Sequence, residues 1–183
     1  DNRGDSKTAT VEEIKSFLDG HISLRFNEIT SRVEYEIPAD NTDAHRFMPV
    51  NDRIVNSLWS QMSTITRVNI QDMYRVIESD YVPVFNPFKE YLNNLSKPGE
   101  QDYIHELAQT VRVKGGEQEQ MLWHLYLKKW LVGMVASWIS EDVVNNVILV
   151  LIGEQGAYKT TWFNYLLPPP LKQYFYTKTN ANR

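Results

Sequence analysis

The 183-residue chain has no cysteine, which excludes disulfides and thiolate metal sites and fits a reducing, cytoplasmic setting. It has no apolar run near the ~20 residues that span a bilayer, and its first ten residues, DNRGDSKTAT, are too polar for a secretory signal. The expectation is therefore a cytoplasmic protein with no membrane partner. It has no excess of positive charge: the formal net charge is −4, so contact with nucleic acid would have to come from a local surface. Its four histidines, His21, His45, His105 and His124, show no HxxxH or HxH spacing, so the sequence offers no metal-ligand signature. It also has no internal repeat and no low-complexity tract. What remains, 42% hydrophobic and 23% charged, is the composition of a globular protein with a core.

Local signals divide the chain. Thr10 followed by Glu13 is a capping box, so a helix is expected from there to about Gly20. ISLRFNEI and RVEYEI alternate apolar and polar positions around Thr30 and Ser31, as a half-buried β-hairpin does. Two further helices open on asparagine, the first carrying Ile54, Leu58 and Met62, the second Ile70, Met73, Tyr74 and Ile77. A hairpin with helices in one small unit is compatible with a winged-helix-like module that touches DNA, and equally with scaffolding. Two X-Pro breaks between Asp80 and Pro87 mark a boundary. Asp102 caps YIHELAQTV, and a long helix is expected from Glu117 to Ile139 with Trp123, Trp130 and Trp138 along it. From Trp130 onward it is apolar nearly all round, the pattern of a helix covered on most sides. The tryptophans read as packing rather than base-stacking groups, and Lys128 and Lys129 as a solvated face.

Val147–Ile152 is a continuous, largely β-branched run, expected to be a central parallel strand. After it come GEQGAY, Lys159, Thr160, Thr161 and a short helix closed by Pro168–Pro170. A phosphate-binding loop needs those parts in that order: a strand, backbone N–H groups curled around phosphate, a lysine for the outer phosphates, a hydroxyl for Mg²⁺, and a helix N-terminus. Tyr158 departs from the usual G-x-x-x-x-G-K-[ST] pattern by replacing its second glycine. If the loop needs a positive φ there, a tyrosine strains it by about 1–2 kcal/mol. No Asp or Glu follows Glu154, so a carboxylate for Mg²⁺ on a second strand is missing and the catalytic site is incomplete in this chain. The expectation is the front part of a longer ATPase.

FNPFKEYLNNL, LKKWLVGMVASWI and VVNNVILVLIGEQGAYKTTWFNYLLPPPLKQYF together resemble the virulence-associated E family, proteins of bacterial mobile elements and phage related to superfamily 3 helicases and phage primase-helicases. The similarity extends through NEITSRVEY and IQDMYRVIESDYVP and is most specific over residues 143–175. The resemblance implies an AAA+-related P-loop ATPase (a hydrolase) that assembles as a homo-oligomeric ring and acts on DNA in replication of the element. It places ATP against Gly153, Glu154, Gln155, Gly156, Ala157, Tyr158, Lys159, Thr160 and Thr161, with Lys159 on the β- and γ-phosphates and Thr160 on Mg²⁺. The fold expected is α+β and mostly helical. It consists of an N-terminal hairpin-and-helix unit (1–82), a helical lead-in (83–142), and the first strand, P-loop and helix of a truncated AAA+-like α/β core (143–183). Two other readings stay open: a non-catalytic DNA-binding or oligomerisation module with a degenerate loop, and a small-molecule P-loop kinase.

Overall fold

The computed structural model describes residues 8–38, 47–97 and 99–176. His45 and most of the DNRGDSKTAT segment lie outside them. The chain divides into two compact units, residues 1–86 and 87–183. It is mixed α+β, mostly helical, with one small mixed sheet.

The first unit begins with α1 (Val11–His21), whose N-terminus is closed by the expected capping box between Thr10 and Glu13. Strands β1 (Ser23–Asn27) and β2 (Arg32–Glu36) form the antiparallel hairpin, with Phe26 opposite Val33. Asn27 shapes its turn: the buried side chain accepts from the N–H of Ile29 and Thr30 and donates to Glu34 at 2.9 Å. Ser31 absorbs the left-handed residue that closes the reversal, at φ 53°. β3 (Met48–Pro49) pairs antiparallel with β2, and β4 (Val84–Phe85) pairs parallel with β1, giving the order β3-β2-β1-β4. The Arg25 guanidinium is held by Glu34 at 2.7 Å and lies between the rings of Phe47 and Phe85, 3.8 Å from each centroid.

Two helices cover the unit: α2 (Asp52–Ser63), capped by Asn51, and α3 (Ile70–Ile77), capped by Asn69. Their apolar stripes, Val55, Leu58 and Met62 from one and Met73, Val76 and Ile77 from the other, close a single core with Ile14, Leu18, Ile22, Tyr35 and Val68. Trp59 fastens the connection between them by donating its indole N–H to Val68 O at 3.1 Å. Residues 64–69 separate the two helices, longer than the three- to four-residue turn of a helix-turn-helix. The basic residue of α3, Arg75, is tied to Asp72.

The second unit contains α4 (Pro87–Asn93), α5 (Tyr103–Gln109), the long α6 (Glu117–Ile139), α7 (Lys159–Leu166) and a 3₁₀ segment (Pro169–Tyr174). Proline at the first position of α4 costs nothing, because that N–H has no partner within a helix. Phe88 from α4 packs against Trp138 of α6 and Tyr174, with centroids 4.6 and 5.5 Å apart. Gln120 and Trp123 of α6 turn back to satisfy the carbonyls that end α5: Trp123 Nε1 donates to Ala108 O at 2.9 Å, and Gln120 Nε2 donates to Val111 O at 2.9 Å.

Two expectations are corrected here. Val147–Ile152 is not a strand: residues 143–154 join no sheet among the described residues. A strand exists only through a hydrogen-bonded neighbour, and none is present, so Ile148 and Ile152 stand 85% and 95% exposed. For the same reason the far half of α6 is half-exposed rather than covered on most sides, and Leu127 is its fully buried residue. No α/β nucleotide-binding core is therefore assembled among the described residues.

Candidate functional site

The segment leading to the loop is positioned by α6. Gly133 leaves room for the Asn145 side chain, whose Oδ1 would lie only 3.4 Å from any added Cβ, and Asn145 in turn accepts from Val147 N–H at 3.1 Å. Trp130 then donates its indole N–H to Val147 O at 3.2 Å. Anchored at Val147, the chain runs to Gly153 without helix or paired strand and enters a turn over Glu154–Ala157, where Ala157 N–H reaches Glu154 O at 3.4 Å.

At the end of this turn two residues with positive φ set the backbone. Gly156 has φ 86°, open only to glycine without strain, and Tyr158 is left-handed at φ 51° and ψ 23°. Helix α7 starts immediately after, with Trp162 N–H bonding to Tyr158 O at 2.9 Å. The N–H groups of Gly156, Tyr158, Lys159, Thr160 and Thr161 make no backbone hydrogen bond among the described residues. Those of Lys159, Thr160 and Thr161 are the orphan donors of a helix start and carry its positive dipole end.

The Lys159 side chain folds across the loop rather than away from it. Its ammonium donates to Gly153 O at 2.9 Å and to Glu154 O at 2.6 Å, so the two ends of the expected phosphate loop are joined by the lysine itself. Glu154, Gln155, Gly156 and Ala157 lie exposed along the loop, Thr160 and Thr161 are exposed on the first turn of α7, and the Tyr158 phenol is 78% exposed. Gly153, Glu154 and Lys159 are thus brought together. Thr160 and Thr161 sit on the same helix start without a side-chain partner among the described residues.

A third element, invisible in the sequence pattern, fixes α7. Trp162 Nε1 donates to Thr110 Oγ1 at 2.8 Å, and its ring lies 6.3 Å from that of Trp123. Nothing in the sequence links residues 52 positions apart; an indole one turn into a helix was the sole available signal. Among the described residues, no group of three or more His, Asp or Glu is placed to hold a metal ion, and no helix is long and apolar enough to cross a membrane.

A mostly helical α+β chain with a glycine-flexed, lysine-spanned loop ahead of a short helix is the class defined so far. Residues 92–182 match the model of the virulence-associated protein E-like domain, and such a domain is present over that part of the chain. No curated protein and no solved structure matches the chain.

Proposed function

We propose that the chain is the ATP-binding N-terminal portion of a DNA helicase or primase-helicase-like ATPase of a mobile element or phage. Gly153–Tyr158 is the phosphate loop, Lys159 engages the β- and γ-phosphates, and Thr160 offers its hydroxyl to Mg²⁺. The observation that carries this reading is the left-handed Tyr158 directly before Lys159. A tyrosine at φ 51° is an outlier with a cost, and no side-chain cap or buried contact of its own explains it. It is a conformation that glycine adopts without cost, which is what this reading asks of the loop's second fixed position.

The donor set suits a triphosphate. Unengaged N–H groups at the start of α7, a helix dipole and a lysine within the loop all favour oxyanions. Mg²⁺ takes few protein ligands beside phosphate oxygens and water, and when bound it would offset charge on the outer phosphates. Thr160 is the residue here that would hold it. The exposed aliphatic run at 147–152 supports the same reading, since a continuous β-branched run of this kind is what a parallel strand covered on both faces is made of. Action on DNA and assembly as a ring follow from the family resemblance.

One observation favours a second reading, a non-catalytic DNA-binding or oligomerisation module with a degenerate loop: the Lys159 ammonium is already engaged by two carbonyls. Thermal unfolding with and without Mg-ATP separates the two. A site filled at about 100 times its Kd adds about 2.7 kcal/mol, and Lys159→Ala should remove that gain. No shift in the unmodified chain, or an unchanged shift in Lys159→Ala, would favour the second reading.

A further inference from the structure

Two of the four histidines, nineteen residues apart in sequence, meet between α5 and α6. His105 Nδ1 and His124 Nδ1 are 3.5 Å apart, with the rings inclined at 74°. That is long for a hydrogen bond between nitrogens. It is close to the separation of about 3.3–3.4 Å between two imidazole nitrogens held at about 2.0–2.1 Å from one tetrahedral zinc ion. The pair borders a cavity of about 280 Å³ whose wall also includes Gln109, Glu117, Gln120 and Met121.

Proton bookkeeping sets the condition for a cation. A neutral imidazole carries one N–H. The Gln109 amide nitrogen stands 2.7 Å from His105 Nε2, and His124 Nε2 is buried without a hydrogen-bond partner. With the Gln109 amide turned so that its oxygen accepts from His105 Nε2–H, and the second proton on His124 Nε2, both Nδ1 lone pairs are free for a cation. The surroundings also favour positive charge. Glu117 lines the cavity, and Asp102, which accepts the His105 backbone N–H at 3.0 Å, lies close enough to both rings to interact with them electrostatically.

We propose that His105 and His124 form an open, two-histidine site for a borderline divalent transition-metal ion, with water completing the coordination. The site is independent of the phosphate loop and chemically distinct from any Mg²⁺ there, since imidazole donors select Zn²⁺, Ni²⁺ or Cu²⁺ while Mg²⁺ and Ca²⁺ take oxygen. A bound ion would tie α5 to α6, the two helices whose Thr110 and Trp123 flank Trp162.

Zn²⁺ titration of the 183-residue chain, followed by the imidazole resonances of the histidines, tests the site. One equivalent of Zn²⁺ should shift the His105 and His124 resonances together and leave those of His21 and His45 in place, while Mg²⁺ at the same concentration does nothing. His105→Ala, at an exposed position, should abolish the response of His124 without unfolding the chain. Failure of either ring to respond, or a His124 response unchanged in His105→Ala, would overturn the site.

Discussion

Trp162, one turn into α7, donates its indole N–H to the hydroxyl of Thr110, the residue that closes α5, at 2.8 Å. The helix that begins at Lys159 is therefore anchored to the helical lead-in through one charge-neutral bond and the neighbouring ring of Trp123. Trp162→Phe keeps an aromatic ring and removes the donor, and Thr110→Val keeps the shape and removes the acceptor along with the hydroxyl's bond to Leu107 O at 2.7 Å. Each should cost about 1 kcal/mol in urea unfolding, and the double variant should cost less than the sum of the two. Additive losses would mean that the bond does not form in solution.

Tyr158 and Gly156 should respond in opposite directions. Tyr158→Gly relieves about 1–2 kcal/mol of left-handed strain against about 0.5–1 kcal/mol of added unfolded-chain freedom, so a net gain of about 0.5–1 kcal/mol is expected. Gly156→Ala, at φ 86°, should lose about 1 kcal/mol. Denaturant midpoints of the two variants check both signs, and a destabilised Tyr158→Gly would show that the phenol itself supports the loop.

Val147–Ile152 should behave as unpaired backbone in this chain. Amide hydrogen exchange there should be fast compared with that of α6, apart from Val147 N–H, which Asn145 accepts. Ile148→Thr, at a position 85% exposed, should change stability by less than about 0.5 kcal/mol. A longer chain that supplies neighbouring strands should make the same substitution costly, and equal effects in both would count against a sheet at this segment.

In the first unit, the Tyr81 hydroxyl donates to Asp19 and lies against Lys15 O at 3.3 Å. Burial, and then the bond to Asp19, raise its pKa well above 10. Because the folded value lies above the unfolded one, the stabilisation is complete below about pH 10 and is lost as the pH rises from there toward the folded value. The melting temperature should therefore fall steeply above about pH 10, and Tyr81→Phe should flatten that fall while lowering stability at neutral pH.

Much of the local architecture was legible in the residues. The capping box at Thr10 and Glu13, the asparagine caps at Asn51 and Asn69 and the alternation through Phe26 and Val33 depend on neighbours a few positions away, and the elements they predict are present. The aliphatic run at 147–152 misled because composition reports what a strand would be made of, while pairing depends on a partner that local sequence does not contain. The loop's left-handed residue could be expected only conditionally, since Tyr158 argues against the very angle it adopts.

By itself the sequence determined the helix starts, the hairpin, and the order of loop, lysine, hydroxyls and helix, because those follow from side chains acting on their own backbone. Only tertiary structure decided that the Lys159 ammonium bridges Gly153 and Glu154, that Trp162 reaches Thr110, and that His105 faces His124. Those meetings depend on how loops close and helices pack, and a one-dimensional spacing pattern carries neither.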